Sequence, residues 1–155
     1  MVAECFRDAA YIYLHSILER MFPSSPAPFP FPSPSSSSSS QYPISTAKPT
    51  ALTRCLARIS TFHLSPHHCE YSALTFPLFI AGCECHGGEE WEKGREREIV
   101  LWALVRLEGN FGIGNVGRVK EILGVLWNSR SSGGEDGRRH WLDVLEELGW
   151  DLILA

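Results

Sequence analysis

The sequence predicts an all-α protein. Apolar residues recur at three- and four-residue steps in about six separate stretches of the chain. No run alternates apolar and polar residues for long enough to make a strand. Breaks rich in Gly and Pro divide the stretches into helix-sized lengths, so the architecture expected is an antiparallel array of about six helices, interrupted by one Pro/Ser-rich linker.

The first helix is expected over residues 2–21. Phe6, Ala10, Tyr13, Ile17 and Met21 recur at helical steps, with Glu4, Asp8, His15 and Glu19 towards the other side. Alone it would be marginal in water, so it should dock elsewhere. Between Pro23 and Pro43, seven of 21 residues are Pro and nine are Ser. Such a segment has little to bury against the entropy of ordering, and residues 23–47 are read as a disordered linker. It separates the helix of residues 1–22 from a body of residues 48–155. Ser25-Pro26, Ser33-Pro34 and the Phe29–Pro32 run offer phosphorylation or polyproline docking, but an inserted spacer is the simpler reading.

The second helix is expected from Pro49 to His63, with Leu52, Cys55, Leu56, Ile59 and Phe62 inward and Arg54 and Arg58 on a solvated edge. Residues 70–83 are apolar nearly all round, as in a helix buried on several sides, with Pro77 kinking it or marking its first turn. A fourth helix opens with Glu89 and Glu90 and ends in the apolar run of residues 99–107, so its second half should be interior. The fifth opens after Asn115 as N-cap, with Val116, Val119, Leu123 and Leu126 inward. Gly117 and Gly124, seven apart on it, would admit a close neighbour. The last, over about 138–148, carries Trp141, Leu145 and Leu148 on one face and ends at Gly149 in a left-handed C′ position.

Composition bounds the function. The chain has 155 residues, 44% of them hydrophobic and 21% charged, a globular balance. Its net charge of −4 is the wrong sign for a free-standing nucleic-acid binder, whose affinity rests on phosphate neutralisation. Arg138-Arg139 is the one adjacent basic pair of the sequence, and Lys93, Arg95 and Arg97 stand among five Glu. Ala73 to Cys83, the longest apolar stretch, is too short for a bilayer. Early acids argue against a signal or transit peptide, and five cysteines (Cys5, Cys55, Cys69, Cys83 and Cys85) make an odd set for a disulfide framework.

The candidate chemistry is thin. Gly112-Ile113-Gly114-Asn115-Val116-Gly117 spells G-x-G-x-x-G, but a dinucleotide site needs a strand before it, and a glycine-rich turn between helices fits better. His67, His68, Cys69, Cys83, Cys85 and His86 hold metal-ligating types, yet Cys83-Glu84-Cys85 lacks the usual two-residue gap and Cys83 falls on the buried helix. Ser65 beside His67 and His68 has no orienting carboxylate. Glu96, Glu98 and Glu108 read as a solvated face. Neither catalytic residue, metal site nor cofactor is expected, and the chain is not read as an enzyme.

AYIYLHSILER (10–20), FPLFIAGCE (76–84), GNVGRVKEILGVLW (114–127), Trp141 and LEELGWDLILA (145–155) occur in this order. Together they resemble the C-terminal portion of the fungal-specific transcription factor domain, the helical regulatory region of fungal binuclear zinc cluster regulators. The resemblance implies a nuclear, all-helical scaffold that acts through a protein partner or as a homodimer, without nucleic-acid contact of its own. It carries over no catalytic residue. Pro77, Gly82, Cys83, Glu84, Gly149 and Trp150 come across as structural motif positions. The family's DNA-binding module uses six cysteines in paired sets, and this chain's five are scattered, which implies a fragment or truncated relative lacking that module. The competing expectation is a stand-alone helical interaction module, or a remnant, with no transcriptional role. Trp141, Leu145, Leu148 and Trp150 are the candidates for partner contact or closure of the terminal helix.

Overall fold

Six α-helices and one 3₁₀ helix, and no strand, make up the secondary structure among the described residues (1–22, 44–85, 90–131 and 140–149) of a computed structural model. They are α1 (Val2–Met21), α2 (Ile44–Thr61), the 3₁₀ helix Cys69–Leu74, α3 (Thr75–Glu84), α4 (Glu90–Phe111), α5 (Val116–Ser131) and α6 (Trp141–Leu148). The all-α reading holds. The linker expectation, apart from its last four residues, and Arg138, Arg139, His86 and Trp150 lie outside the described residues.

α3 lies at the centre. Pro77, Leu78, Phe79, Ile80, Ala81, Gly82 and Cys83 are all buried, and the helix packs against α1, α2, α4, α5 and the 3₁₀ helix. Ten almost wholly apolar residues are stable in water only when walled in this way. Pro77 occupies the first turn, where its missing N–H forfeits no helical bond. The expected single helix over 70–83 is therefore two elements. A proline ring at 77 crowds the carbonyl four residues back, and the chain before it winds as the 3₁₀ helix Cys69–Leu74.

The tightest approach in the core is at Gly82, not at Gly117 or Gly124. A Cβ on Gly82 would lie 2.8 and 2.9 Å from the two Leu123 methyls and 3.2 Å from Val100 Cγ1. At Gly117 and Gly124 it would meet nothing within 4 Å, which corrects the expectation of a close neighbour there. The missing side chain at Gly82 lets α4 and α5 settle on α3. Trp127 Nε1 then donates to the Gly82 carbonyl at 3.0 Å, and the Arg97 guanidinium stacks on the Trp127 ring at 5.2 Å.

α1 and α2 form an antiparallel pair, with an inner face on α1 different from the expected one. Cys5, Asp8, Ala9, Ile12 and Ser16 are buried, whereas Ala10 and Met21 are exposed. Asp8 goes inward because Arg54 reaches it at 3.1 Å and Arg58 bonds its other oxygen. Arg54 and Arg58 are thus partners of a buried carboxylate, although Arg54 remains half exposed at the solvated edge expected of it. Helix α2 also begins at Ile44, five residues before Pro49. Five residues precede the proline, so its missing N–H forfeits a single bond near the start of the helix. Lys48, just before it, bridges Glu19 of α1 at 2.8 Å and Glu84 of α3 at 3.0 Å.

The remaining joints are chemical rather than apolar. Gly112, at φ 63°, closes α4, and its N–H donates to the Glu108 carbonyl at 2.9 Å. The G-x-G-x-x-G run is accordingly a turn between two helices with no strand before it. Gly149 ends α6 at φ 63°, as expected of a left-handed C′ residue. α6 begins at Trp141, capped by His140: Leu142 N–H donates to His140 Nδ1 at 3.1 Å and His140 N–H donates to Asp143 Oδ2 at 3.2 Å.

Candidate functional site

The sequence-predicted contact residues divide. Trp141 is buried, its ring 5.9 Å from Tyr13 of α1 and edge-on to Phe79 of α3 at 5.5 Å. Leu145 and Leu148 are partly buried against the core. Trp150 lies outside the described residues. α6 is further held by Arg20 of α1, which pairs with Asp143 at 2.7 Å.

α4 supplies an apolar surface that the sequence reading placed inside. Its inner stripe, Val100, Ala103, Leu104 and Leu107, is fully buried. Its outer stripe is exposed: Leu101 at 38%, Trp102 at 43% and Val105 at 56%. A nine-residue run apolar almost all round can still be only half interior, because the elements packed on α4 (α2, α3, α5 and the 3₁₀ helix) leave one side open. Arg106 stacks over Trp102 at 6.0 Å, and a shallow groove of about 440 Å³ beside it is lined by Ser60, Glu98, Ile99 and Trp102. The charged ends of the strip, Glu98 and Arg106, stand four residues to either side of Trp102.

A second polar constellation lies where α1, α2 and α3 meet. Ser16 Oγ donates to Glu84 Oε1 at 2.6 Å while Lys48 pairs with Glu84 Oε2, so both oxygens of that carboxylate are engaged. Glu84 ends the FPLFIAGCE stretch, and the arrangement gives it a structural use: it ties the end of the buried helix to two neighbours. His140 nearby titrates below its ordinary range, through burial first and the Arg20 charge second.

The histidines and cysteines of the middle segment do not converge. His67, His68 and Cys69 are exposed on a loop and the start of the 3₁₀ helix, whereas Cys83 and Cys85 are buried in and just after α3. Among the described residues no group of three His, Cys, Asp or Glu side chains is arranged to hold a metal ion. Glu108 pairs with Lys120 at 2.6 Å and Glu98 faces the groove, so they do not form a carboxylate pair. No helix among the described residues is long and apolar enough to cross a membrane.

What sequence reasoning missed is the outer face of α4. The only available signal was Glu98 and Arg106 bracketing the apolar run at helical spacing, which marks a face that meets water at its ends.

No curated protein and no solved structure matches the chain. The family model described as the fungal specific transcription factor domain matches residues 1–155, the Pro/Ser stretch included. With its helical build and a family match over residues 1–155, the chain belongs to the fungal-specific transcription factor domain family and is a transcription-regulator-related region.

Proposed function

We propose that this chain is a helical regulatory and interaction region that lacks the zinc-cluster DNA-binding module, works in the nucleus, and acts by protein contact without catalysis. The observation that carries the contact is the exposed Leu101–Trp102–Val105 strip on α4. Tryptophan in such a setting is the residue type that most often dominates a protein interface. The occupant we assign is a second copy of the chain. If two α4 helices pair antiparallel about Trp102, Glu98 of each lies opposite Arg106 of the other, so the charges at both ends of the strip are complementary. Trp141, Leu145 and Leu148 take the other role, closing the terminal helix onto the core, with Trp150 proposed to join them from the sequence alone.

Two linked measurements test this reading. Light scattering on the full chain should give a dimer. Trp102→Asp with Val105→Asp should make it monomeric, and Glu98→Arg should weaken it until Arg106→Glu is added. Fused to an unrelated DNA-binding domain, the chain should change reporter transcription in a fungal host, and the Trp102/Val105 variant should lose that change while keeping its helical melt. A monomeric wild type whose reporter effect still depends on Trp102 would mean a different protein on the strip. A reporter no different from the DNA-binding domain alone would favour an interaction module with no transcriptional role.

A further inference from the structure

The contact reading above leaves the α1–α2 interface without a function, and that interface holds the most unusual chemistry in the chain. The two helices run antiparallel, in a register set by Glu19 with Lys48 at one end and by Glu4 and Asp8 with Arg58 at the other. At the Arg58 end the buried residues are small: Cys5 and Ala9 on α1, Ala51 and Cys55 on α2, all four fully buried. Small side chains at successive turns bring the two backbones close together. Cys55 Sγ donates to the Cys5 carbonyl oxygen at 3.9 Å, which sets its sulfur against the Cys5 backbone.

We propose that Cys5 and Cys55 are an oxidation site, at which a hydroperoxide converts the facing thiols into a disulfide that staples α1 to α2. A disulfide needs its sulfurs about 2.05 Å apart and Cα atoms usually within about 7 Å. A Cys55 sulfur within 3.9 Å of the Cys5 backbone, on helices packed through small side chains, puts the two residues within reach of that geometry. The two sulfurs are unequal. The hydrogen bond from Cys55, helped by the Arg58 guanidinium, holds the Cys5 thiol below its ordinary range against burial. The same hydrogen bond, with burial, pushes Cys55 up, so it keeps its proton. A thiolate beside a cation is the reactive form of cysteine.

The steps balance. The Cys5 thiolate attacks one oxygen of the peroxide, the O–O bond breaks, and the departing hydroxide takes up the proton that Cys5 released, leaving as water (or as an alcohol from an organic peroxide). Cys5 is then a sulfenic acid. The Cys55 sulfur attacks the Cys5 sulfur, the S–O bond breaks, and the hydroxyl leaves as water with the Cys55 proton. Two thiols have lost two electrons and the peroxide has gained them. Access comes through the end of the helix: Cys5 is the fourth residue of α1, in its first turn, and terminal turns open far more often than the core.

The experiment uses the full chain, reduced, treated with hydrogen peroxide, blocked with an alkylating agent and digested with trypsin without reductant. The expected product joins peptide 1–7 to peptide 55–58 and is lighter than the two together by two hydrogens. That link should exceed every pairing that involves Cys69, Cys83 or Cys85, and the urea midpoint of the oxidised chain should rise and fall back with reductant. In Cys55→Ser the link should vanish and Cys5 should be trapped by dimedone as sulfenic acid. The proposal is overturned if peroxide oxidises exposed Cys69 while Cys5 and Cys55 are both recovered as alkylated thiols at every dose that leaves the helical signal intact. It is equally overturned if the wild-type links are scattered evenly among the five cysteines.

Discussion

Replacing Gly82 with Ala puts one methyl where α3 meets α4 and α5. Carbon atoms in contact sit about 3.5–4.0 Å apart, and this methyl would lie 2.8 and 2.9 Å from the methyls of Leu123 and 3.2 Å from Val100. Neither neighbour can swing away freely, since Leu123 and Val100 are fully buried and Val100 is β-branched. Overfilling of this kind costs about 1–3 kcal/mol, offset by about 1 kcal/mol because Ala is the better helix former. With two contacts under 3 Å the cost should fall in the upper half of that range, for a net loss of about 1–2 kcal/mol. The control is the same chemical change at Gly124→Ala, where a Cβ meets nothing within 4 Å. There propensity acts alone and should add up to about 1 kcal/mol. Thermal melts by circular dichroism should therefore move in opposite directions, by about 2–4 °C for each kcal/mol at this chain length. Leu123→Ala alone should cost about 2–5 kcal/mol, and in that background Gly82→Ala should cost much less than in the wild type, because the methyl enters the space left. If Gly82→Ala is as stable as the wild type, or its effect is the same with and without Leu123, the close crossing at Gly82 is wrong.

Three further substitutions probe the polar joints. Trp127→Phe keeps the ring stacking under Arg97 but deletes the bond to the Gly82 carbonyl, and should lower the urea-derived stability by about 1 kcal/mol. Asp8→Ala should cost about 1.5–3 kcal/mol, since Arg54 and Arg58 can turn to water, whereas neutralising both arginines strands a buried carboxylate and should cost more. His140 is a cap only when neutral, and its folded pKa is depressed by burial and by Arg20. The unfolded chain thus takes up the proton first, and the stability this cap contributes is complete above the ordinary imidazole pKa of about 6.5. It is lost as pH falls from there through the folded value, so melting temperature should drop more steeply on acidification in the wild type than in His140→Asn.

The helices were legible because apolar spacing alone locates them, and the buried α3 announced itself by having no polar side. The turns at Gly112 and Gly149 were legible because each needs a backbone that glycine alone adopts without strain. The inner face of α1 was not. Periodicity sorts residues by polarity, and Asp8 and Ser16 face inward for partners, Arg54, Arg58 and Glu84, that lie far away in sequence. Gly82 was missed as the close crossing for a related reason, since nothing local separates a glycine under pressure from Gly124, which faces open space. Histidine is not among the preferred N-caps, so the start of α6 was hidden as well. The outer stripe of α4 has the same composition as its inner one, and only the placement of the neighbouring helices decides which side is wet.

α3 has just ten residues, too few to hold a helix in water unaided. Each of its walls comes from a different part of the chain, and the ring of Trp141 closes on Phe79 from α6. No single neighbour can leave without wetting it. Its amide protons should accordingly exchange with solvent only when the whole molecule opens, while the ends of α1 and α6 exchange through local fraying. The ten residues that could never fold alone are thereby the clock by which global unfolding of this chain can be timed.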